Sequence, residues 1–237
     1  MPLGNVTFVL HRPRSVDNVG AAARVVKNFG IGRLVLVDPL SFAFARAEKL
    51  AVGAEDVLER MFVHRDLREA LAPMAFVAGT SSRLLRRRGS IGPTELSRRV
   101  AAVGAPCALV FGDEKRGLSD DELELCEEVC RIETEPEQPS LNLAQACAIL
   151  GFALHDRAGE PVPPSPRATQ RELWEAEREA SRALSECGFL NPQRPKLVLG
   201  ELVRSWARAG LSPREAGLWR NAFRKLADEL ERRRRAD

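Results

Sequence analysis

Short runs of consecutive apolar residues recur through the first 132 positions, and polar or glycine-containing loops follow most of them. Runs of four or five residues rich in Val, Leu and Phe are typical of strands that are buried on both faces, as in a parallel sheet. A further short strand is predicted to start near Val63. The buried strands are predicted at 6–10, 34–37, 75–78, 107–111 and 129–132.

Between these runs, apolar residues recur at spacings of three and four, which predicts amphipathic helices. The first helix, 19–29, has Asn18 as its candidate N-cap and Gly30 as its C-terminal stop. Because strands and helices alternate, the pattern predicts an α/β fold built on a parallel sheet. The further helices are predicted at 42–58 with an interruption near Gly53, and at 66–71, 93–103 and 119–126.

The stretch 135–150 combines a polar loop containing two prolines with a helix. Ser140 or Asn142 lies at the junction, and both residue types cap helix N-termini well. A helix start with unpaired N–H groups can also hold a ligand, so this stretch alone is compatible with a capped core helix or with a binding site. We expect the helix to pack through the face that carries Leu141, Ala144, Ala148 and Phe152.

Four prolines within residues 159–166 exclude a helix or strand interior and predict a linker. Beyond it, helical periodicity predicts three helices, 170–187, 195–209 and 213–231. We therefore predict a domain at 1–158, a Pro-rich linker at 159–167 and a small all-helical extension at 168–237. The core of this extension is predicted to contain Trp174, Trp206 and Trp219.

Composition and charge refine this outline. A hydrophobic content of 44% and a charged content of 29% are ordinary for a globular protein. No run could span a membrane and the N-terminus lacks a signal-peptide pattern, so we expect a cytoplasmic protein. The net charge of +3 is concentrated in residues 168–237, where Lys and Arg exceed Asp and Glu by four. Much of this excess is Arg232–Arg235, a run typical of a solvated, frayed tail and also of an RNA-binding tail.

The five cysteines include no CxxC pair, and the three histidines show no ligand spacing to them. We therefore predict reduced and mostly buried thiols, and no metal site.

Three polar loops, 79–83, 112–117 and 134–142, follow predicted strands. Ligands of open parallel sheets bind beyond the carboxyl ends of the strands, so these loops could form one pocket. None contains GxGxxG or GxxxxGK[ST], and their backbone groups and small side chains suit a nucleoside-like ligand. Arg24 lies on the polar face of the first helix, where it could bind phosphate or simply be solvated.

Three motifs occur in a fixed order: Asn18-Val-Gly-Ala-Ala-Ala-Arg24, a Phe111-Gly-Asp-Glu114 segment that runs on to Leu118, and Ser140-Leu-Asn-Leu-Ala144. Together they resemble the N-x-G-x-x-x-R, F-G-x-E-x-x-G-L and S-L-N-x-(A/S) motifs of the SpoU branch of the SPOUT RNA methyltransferases. The resemblance implies a trefoil knot at the C-terminal end of the α/β domain. It also implies a homodimer whose active site takes residues from both subunits.

The same resemblance implies S-adenosylmethionine as cofactor and methyl transfer to a ribose 2′-hydroxyl. Arg24 would activate the hydroxyl, either after its site forces it neutral or by staying charged and orienting the substrate, since a guanidinium is normally protonated. Glu114 would pair with Arg24 or position the substrate, and Asn18, Ser140 and Asn142 would supply neutral hydrogen bonds. The residues implied to bind the cofactor are Thr80, Ser81, Ser82, Gly112, Ile132, Pro139, Ser140 and Leu141.

The implied substrate is tRNA or another structured RNA. Within the branch, the 79–83 loop and the helical extension are most similar to enzymes that methylate position 32 of the tRNA anticodon loop. Another tRNA position, ribosomal RNA, and a non-catalytic RNA-binding protein of the same fold stay open as alternatives, although the intact motif residues favour an enzyme. Phosphate contacts are expected from Arg12, Arg14, Arg83 and Arg86–Arg88.

Overall fold

The computed structural model describes residues 3–40, 44–85, 89–157, 166–191 and 195–236. The chain divides into two compact units, Met1–Ser165 and Pro166–Asp237. Most of the predicted linker, 159–165, lies outside the described residues. Among the described residues, no helix combines the length and the apolar character needed to cross a membrane.

The first unit contains a six-stranded sheet with the order β3-β2-β1-β5-β4-β6, in which every neighbouring pair is parallel. β1 and β5 are buried along their whole length, as the continuous apolar runs predict. The α/β prediction is therefore confirmed, while the trefoil knot stays a prediction. The strands are β1 Val6–His11, β2 Arg33–Val37, β3 Phe62–His64, β4 Phe76–Thr80, β5 Cys107–Phe111 and β6 Glu128–Cys130.

The helices of this unit cover the sheet and carry the chain between its parallel strands. The predicted helix 42–58 is divided into two helices around Gly53, and its first two residues lie outside the described residues. The helices are α1 Val16–Phe29, α2 Phe44–Leu50, α3 Glu55–Glu59, α4 Leu67–Leu71, α5 Pro93–Val103, α6 Asp120–Leu123 and α7 Leu143–Asp156.

Helix α1 begins earlier than predicted. Its N-cap is Ser15, whose hydroxyl accepts a hydrogen bond from the backbone N–H of Asn18. The prediction that Asn18 caps the helix is therefore wrong, and the Asn18 amide is available for a long-range contact. Gly30 ends the helix in the left-handed conformation with φ 68°, as predicted.

Helix α7 begins at Leu143, and Asn142 rather than Ser140 is its N-cap. Its buried residues are Leu143, Cys147, Leu150, Gly151 and Leu154. The predicted packing face was wrong, because Phe152 is 60% exposed and Leu141, Ala144 and Ala148 are only half-buried. The apolar character of α7 extends almost around the helix, so periodicity alone did not indicate which face meets the core.

The second unit consists of α8 Gln170–Glu186, α9 Pro195–Ala209 and α10 Pro213–Ala236. Trp206 is buried in its core as predicted, but Trp219 is 44% exposed and Trp174 is half-buried. Arg182 of α8 forms an ion pair with Glu179 of the same helix and with Asp228 and Glu231 of α10, and the last two pairs fasten α8 to α10.

The Arg232–Arg235 run is helical and belongs to α10, so this exposed run is solvated but is not a frayed tail, and its binding of RNA stays an open alternative. Arg232 and Arg233 pair with Glu229 one turn earlier, and Arg234 pairs with Glu186 of α8. These carboxylates offset much of the local positive charge. All five cysteines are free thiols, and all but Cys187 are buried.

Candidate functional site

A cavity of about 320 Å³ lies beyond the carboxyl ends of β4, β5 and β6. Its walls come from the three loops predicted to meet there, and the first turns of α7 close its apolar side. Such a volume is typical of a small-molecule site. The lining residues are 80–83, 111–118, Cys130, Ile132, 139–141, Leu143 and Ala146.

All eight residues implied to bind the cofactor line this one cavity. The apolar floor of the cavity, which includes Cys130, Leu143 and Ala146, is not among the residues predicted from the sequence. These positions could have been found from two features, the end of strand β6 and the first turn of the helix after the Asn142 cap. Buried strand ends and first helical turns adjoin the loops that they connect.

The donor and acceptor set of the cavity fits a nucleoside-like cofactor. Ile132 and Leu141 offer apolar surface for a base, and Ser140 offers a hydroxyl with no partner among the described residues. The hydroxyl of Thr80 donates to the Val110 carbonyl and that of Ser81 accepts from the Arg83 N–H, so the 80–83 loop has a defined shape.

Gly112 permits a tight turn between β5 and α6. A Cβ atom at this position would lie 2.2 Å from the Gly117 carbonyl carbon and 2.4 Å from the Leu118 nitrogen. The Asp113 carboxylate accepts hydrogen bonds from the N–H groups of Lys115, at 2.7 Å, and Arg116, at 3.0 Å. The turn therefore needs both the missing side chain at 112 and the carboxylate at 113.

Glu114 joins the second motif to the first. Its Oε1 accepts from Asn18 Nδ2 at 2.8 Å and from the Ser15 N–H at 3.1 Å, and its Oε2 accepts from the Arg14 N–H at 2.8 Å. Burial raises the pKa of Glu114, but these hydrogen bonds outweigh burial and hold the pKa below its ordinary value. Glu114 is therefore an ionised anchor at neutral pH.

Asn142 joins the third motif to the same group. Its Nδ2 donates to Asn18 Oδ1 at 3.0 Å, while its Oδ1 accepts from the Ala144 N–H at 2.8 Å as the cap of α7. The chain Glu114–Asn18–Asn142 thus connects all three motifs by side-chain hydrogen bonds, beside the cavity that Glu114 and Ser140 line.

Arg24 is not part of this group. It is exposed, does not line the cavity, and has no hydrogen-bond or ion-pair partner among the described residues. The expected pairing of Arg24 with Glu114 is therefore wrong within one protomer. Six residues after Asn18 on a helix, Arg24 points about 120° away and lies about 9 Å further along the axis.

Asp113 also forms an ion pair with Arg14, at 3.2 Å from Oδ1 to Nε. Burial raises the pKa of Asp113, but the hydrogen bonds from Arg14, Lys115 and Arg116 hold it at about 2. Because this pKa is below the ordinary 3.8, the charged carboxylate stabilises the fold above about pH 4 and loses that effect as the pH falls towards about 2.

Asp113→Asn is therefore expected to lower the free energy of unfolding at pH 7, and the difference from the unchanged protein should shrink as the pH falls from about 4 to about 2. Urea unfolding of both proteins across this range measures the difference. A difference that is constant with pH would show that the loss does not come from the charge of Asp113.

The fold and the cavity together define a class of protein: an open parallel α/β protein with a small-molecule site at the carboxyl ends of three neighbouring strands. Residues 5–152 match the model of the SpoU rRNA Methylase family. The chain belongs to this family.

Curated relatives match nearly the whole chain. A Yersinia pestis (strain Pestoides F) protein named tRNA (cytidine/uridine-2′-O-)-methyltransferase TrmJ is 34% identical over 236 residues, covering 94% of this chain and 92% of its own. The Pseudomonas aeruginosa (strain UCBPP-PA14) tRNA (cytidine/uridine/adenosine-2′-O-)-methyltransferase TrmJ is 32% identical, covering 99% and 100%. The crystal structure of TrmJ from Z. mobilis ZM4 superposes with a TM-score of 0.81 at 27% identity, covering 93% and 98%.

Proposed function

We propose that the protein transfers a methyl group from S-adenosylmethionine to the 2′-hydroxyl of a ribose in tRNA, in the cytoplasm. The observation that carries this proposal is the hydrogen-bonded chain Glu114–Asn18–Asn142, which assembles the three family motifs beside one cofactor-sized cavity. The relatives named above, which match 94% or more of the chain, support tRNA as the substrate.

S-adenosylmethionine supplies an electrophilic methyl group when bound, and the residues of the three loops would hold it. Glu114 suits a positioning role better than that of a general base, because its pKa is lowered and both of its oxygens already accept hydrogen bonds. It keeps Asn18 in place, and Asn18 keeps Asn142 and the start of α7 in place. Ser140 has a free hydroxyl that can bond the substrate or the cofactor.

The exposed position of Arg24 supports a homodimer in which this arginine enters the cavity of the partner subunit. In that setting Arg24 stays charged and orients the ribose hydroxyl and its neighbouring phosphate, because no described residue of its own protomer buries it or compensates its charge. Ile149 and Phe152 of α7 are exposed apolar residues, and the Phe152 ring contacts Phe29 of α1 at 6.4 Å between centroids. This surface is a candidate for the dimer contact.

Phe152→Glu is expected to shift the protein from dimer to monomer and to reduce methyl transfer, because a carboxylate would have to be desolvated in the contact. Analytical ultracentrifugation measures the mass. Val63→Glu, at a residue with a similar exposure of 56% on edge strand β3, is the matched control and should stay dimeric. If the Phe152→Glu protein stays dimeric, the dimer contact does not lie on this surface of α7.

The target nucleotide is proposed to be position 32 of the anticodon loop, because the 79–83 loop and the helical extension resemble those of enzymes that methylate this position. The test is mass-spectrometric mapping of 2′-O-methyl nucleotides in tRNA and ribosomal RNA from a strain that lacks the gene. Loss of the methyl group at position 32 alone supports the proposal. Loss of the methyl group at another position would support the same reaction on a different nucleotide. An unchanged map would indicate a non-catalytic RNA-binding protein.

A further inference from the structure

A second cleft of about 500 Å³ adjoins the cofactor-sized cavity. The two share a wall that includes Arg83, Asp113 and Arg116. Four arginines line the second cleft, Arg12, Arg14, Arg83 and Arg116, against two lining carboxylates, Asp113 and Glu122, and a third, Asp120, that pairs with Arg83. The surface next to the proposed methyl-donor site therefore carries a net positive charge.

Three of these arginines are held in place by the protein. Arg12 pairs with Glu122, and Arg14 pairs with Asp113. Arg83 donates through Nη2 to the Leu118 carbonyl at 2.8 Å and to Asp120 at 3.0 Å. Each guanidinium carries five N–H donors and uses only some of them in these contacts. The remaining donors are oriented in advance, which lowers the entropic cost of binding an anion.

One further observation indicates a ligand. Arg116 is exposed, and its guanidinium has no partner among the described residues, whereas its backbone N–H is fixed by Asp113. A fixed backbone thus presents a free cation to the cleft.

The arginines at the end of α10 differ in this respect. Arg232, Arg233 and Arg234 are each paired with a glutamate. They differ in this way from Arg116, whose guanidinium has no partner among the described residues, and their carboxylates offset the charge that a phosphate would meet.

We propose that the second cleft binds a phosphodiester group of the RNA strand next to the nucleotide that is methylated, with Arg116 as its principal contact. This inference rests on the proposed function, because the adjoining cavity is the expected methyl-donor site. Planar guanidinium groups bind phosphate oxygens in a bidentate manner, and a phosphate fixed beside the donor would hold the target ribose in register.

The experiment compares Arg116→Ala with Arg33→Ala in the full-length protein. Arg33 is exposed, has no partner among the described residues, and begins β2 at the amino end of the sheet, away from the cleft. The Kd for an unmodified tRNA transcript is measured across KCl concentrations. Isothermal titration calorimetry measures the affinity for S-adenosylmethionine, and thermal melting checks the fold.

Arg116→Ala is expected to weaken tRNA binding about fivefold at 0.15 M salt and to lower the slope of log K against log salt by about 0.7 to 0.9, the loss of one phosphate contact. Arg116→Lys should keep the slope while losing part of the affinity, because it keeps the charge and loses the planar fork. The melting temperature should be unchanged, and any change in S-adenosylmethionine affinity should be smaller than the change in tRNA affinity, because Arg116 lines both the cavity and the cleft. Arg33→Ala should match the unchanged protein in every measurement.

The proposal would be overturned if the slope of log K against log salt were the same for Arg116→Ala as for Arg33→Ala. A lower affinity for S-adenosylmethionine with an unchanged RNA slope would also overturn it, since the cleft would then serve the anionic end of the cofactor. Methyl transfer by the unchanged protein is assayed separately. If the unchanged protein methylates tRNA and Arg116→Ala binds tRNA normally, the role of the cleft is refuted and the proposed function stands. If the unchanged protein transfers no methyl group to tRNA, the proposed function is refuted independently of the cleft.

Discussion

Arg24→Ala is expected to reduce methyl transfer to tRNA by about 100-fold or more, the usual effect of removing one group that stabilises a transition state. Its affinity for S-adenosylmethionine should be largely retained, because Arg24 does not line the cavity of its own protomer and, in the proposed dimer, it faces the ribose and phosphate of the RNA. Single-turnover methylation and calorimetry measure the two quantities. Lys27→Ala on the same helix is the control, since Lys27 pairs with Asp56 of its own protomer at 2.8 Å. Near-normal turnover of the Arg24→Ala protein would exclude it from catalysis.

A mixed dimer can show whether Arg24 acts in its own cavity or in that of its partner. Subunits that carry only Arg24→Ala are mixed with subunits that carry only Ser140→Arg. The second substitution places a large side chain at an exposed position on the cavity wall. If the active site is shared, random mixing should restore about one quarter of the full rate, because half of the dimers are mixed and each mixed dimer keeps one intact site. No recovery would place Arg24 and the cavity in the same subunit.

Gly112→Ala is expected to abolish measurable binding of S-adenosylmethionine and to lower the free energy of unfolding by about 1 to 3 kcal/mol, the usual cost of overpacking. The added Cβ would lie 2.2 Å from the backbone of Gly117, and no flexible side chain is available there to yield. The turn would have to open, which would move Asp113 out of its ion pair with Arg14 and Glu114 out of its hydrogen bond with Asn18.

Gly89→Ala is the matched control for this substitution. Among the described residues, no heavy atom lies within 4 Å of a Cβ added at Gly89, so the same methyl group should alter neither binding nor stability by a measurable amount. Calorimetry and urea unfolding test both variants. Normal cofactor affinity in the Gly112→Ala protein would show that the shape of this turn does not determine the cavity.

The fold class was accessible from sequence because its cause is local. Runs such as 107–111 are apolar at every position, and only a sheet covered on both faces buries such a strand. The cavity followed from the same reasoning, because parallel strands bring the loops after their carboxyl ends to one edge. The resemblance to a known family then supplied the individual residues, and all eight predicted cofactor residues line the cavity.

The errors have a common physical cause. Ser15 and Asn18 are both good N-cap residues, and the helix start alone does not choose between them. The contact of Asn18 with Glu114, 96 residues later in the chain, engages its side chain elsewhere. Likewise, the apolar residues of α7 nearly encircle the helix, and only the packed core shows that Cys147 faces inward while Phe152 faces outward.

The sequence by itself therefore determined the parallel α/β class, the number and order of most elements, and the three loops that meet at one sheet edge. These properties depend on hydrophobic period and turn chemistry within a few residues. Only the tertiary structure decided that Glu114 bonds Asn18 instead of Arg24, that Arg24 is left without a partner among the described residues, and that Arg12, Arg14, Arg83 and Arg116 share one cleft. Such contacts depend on distances between side chains far apart in the chain, which no local pattern records.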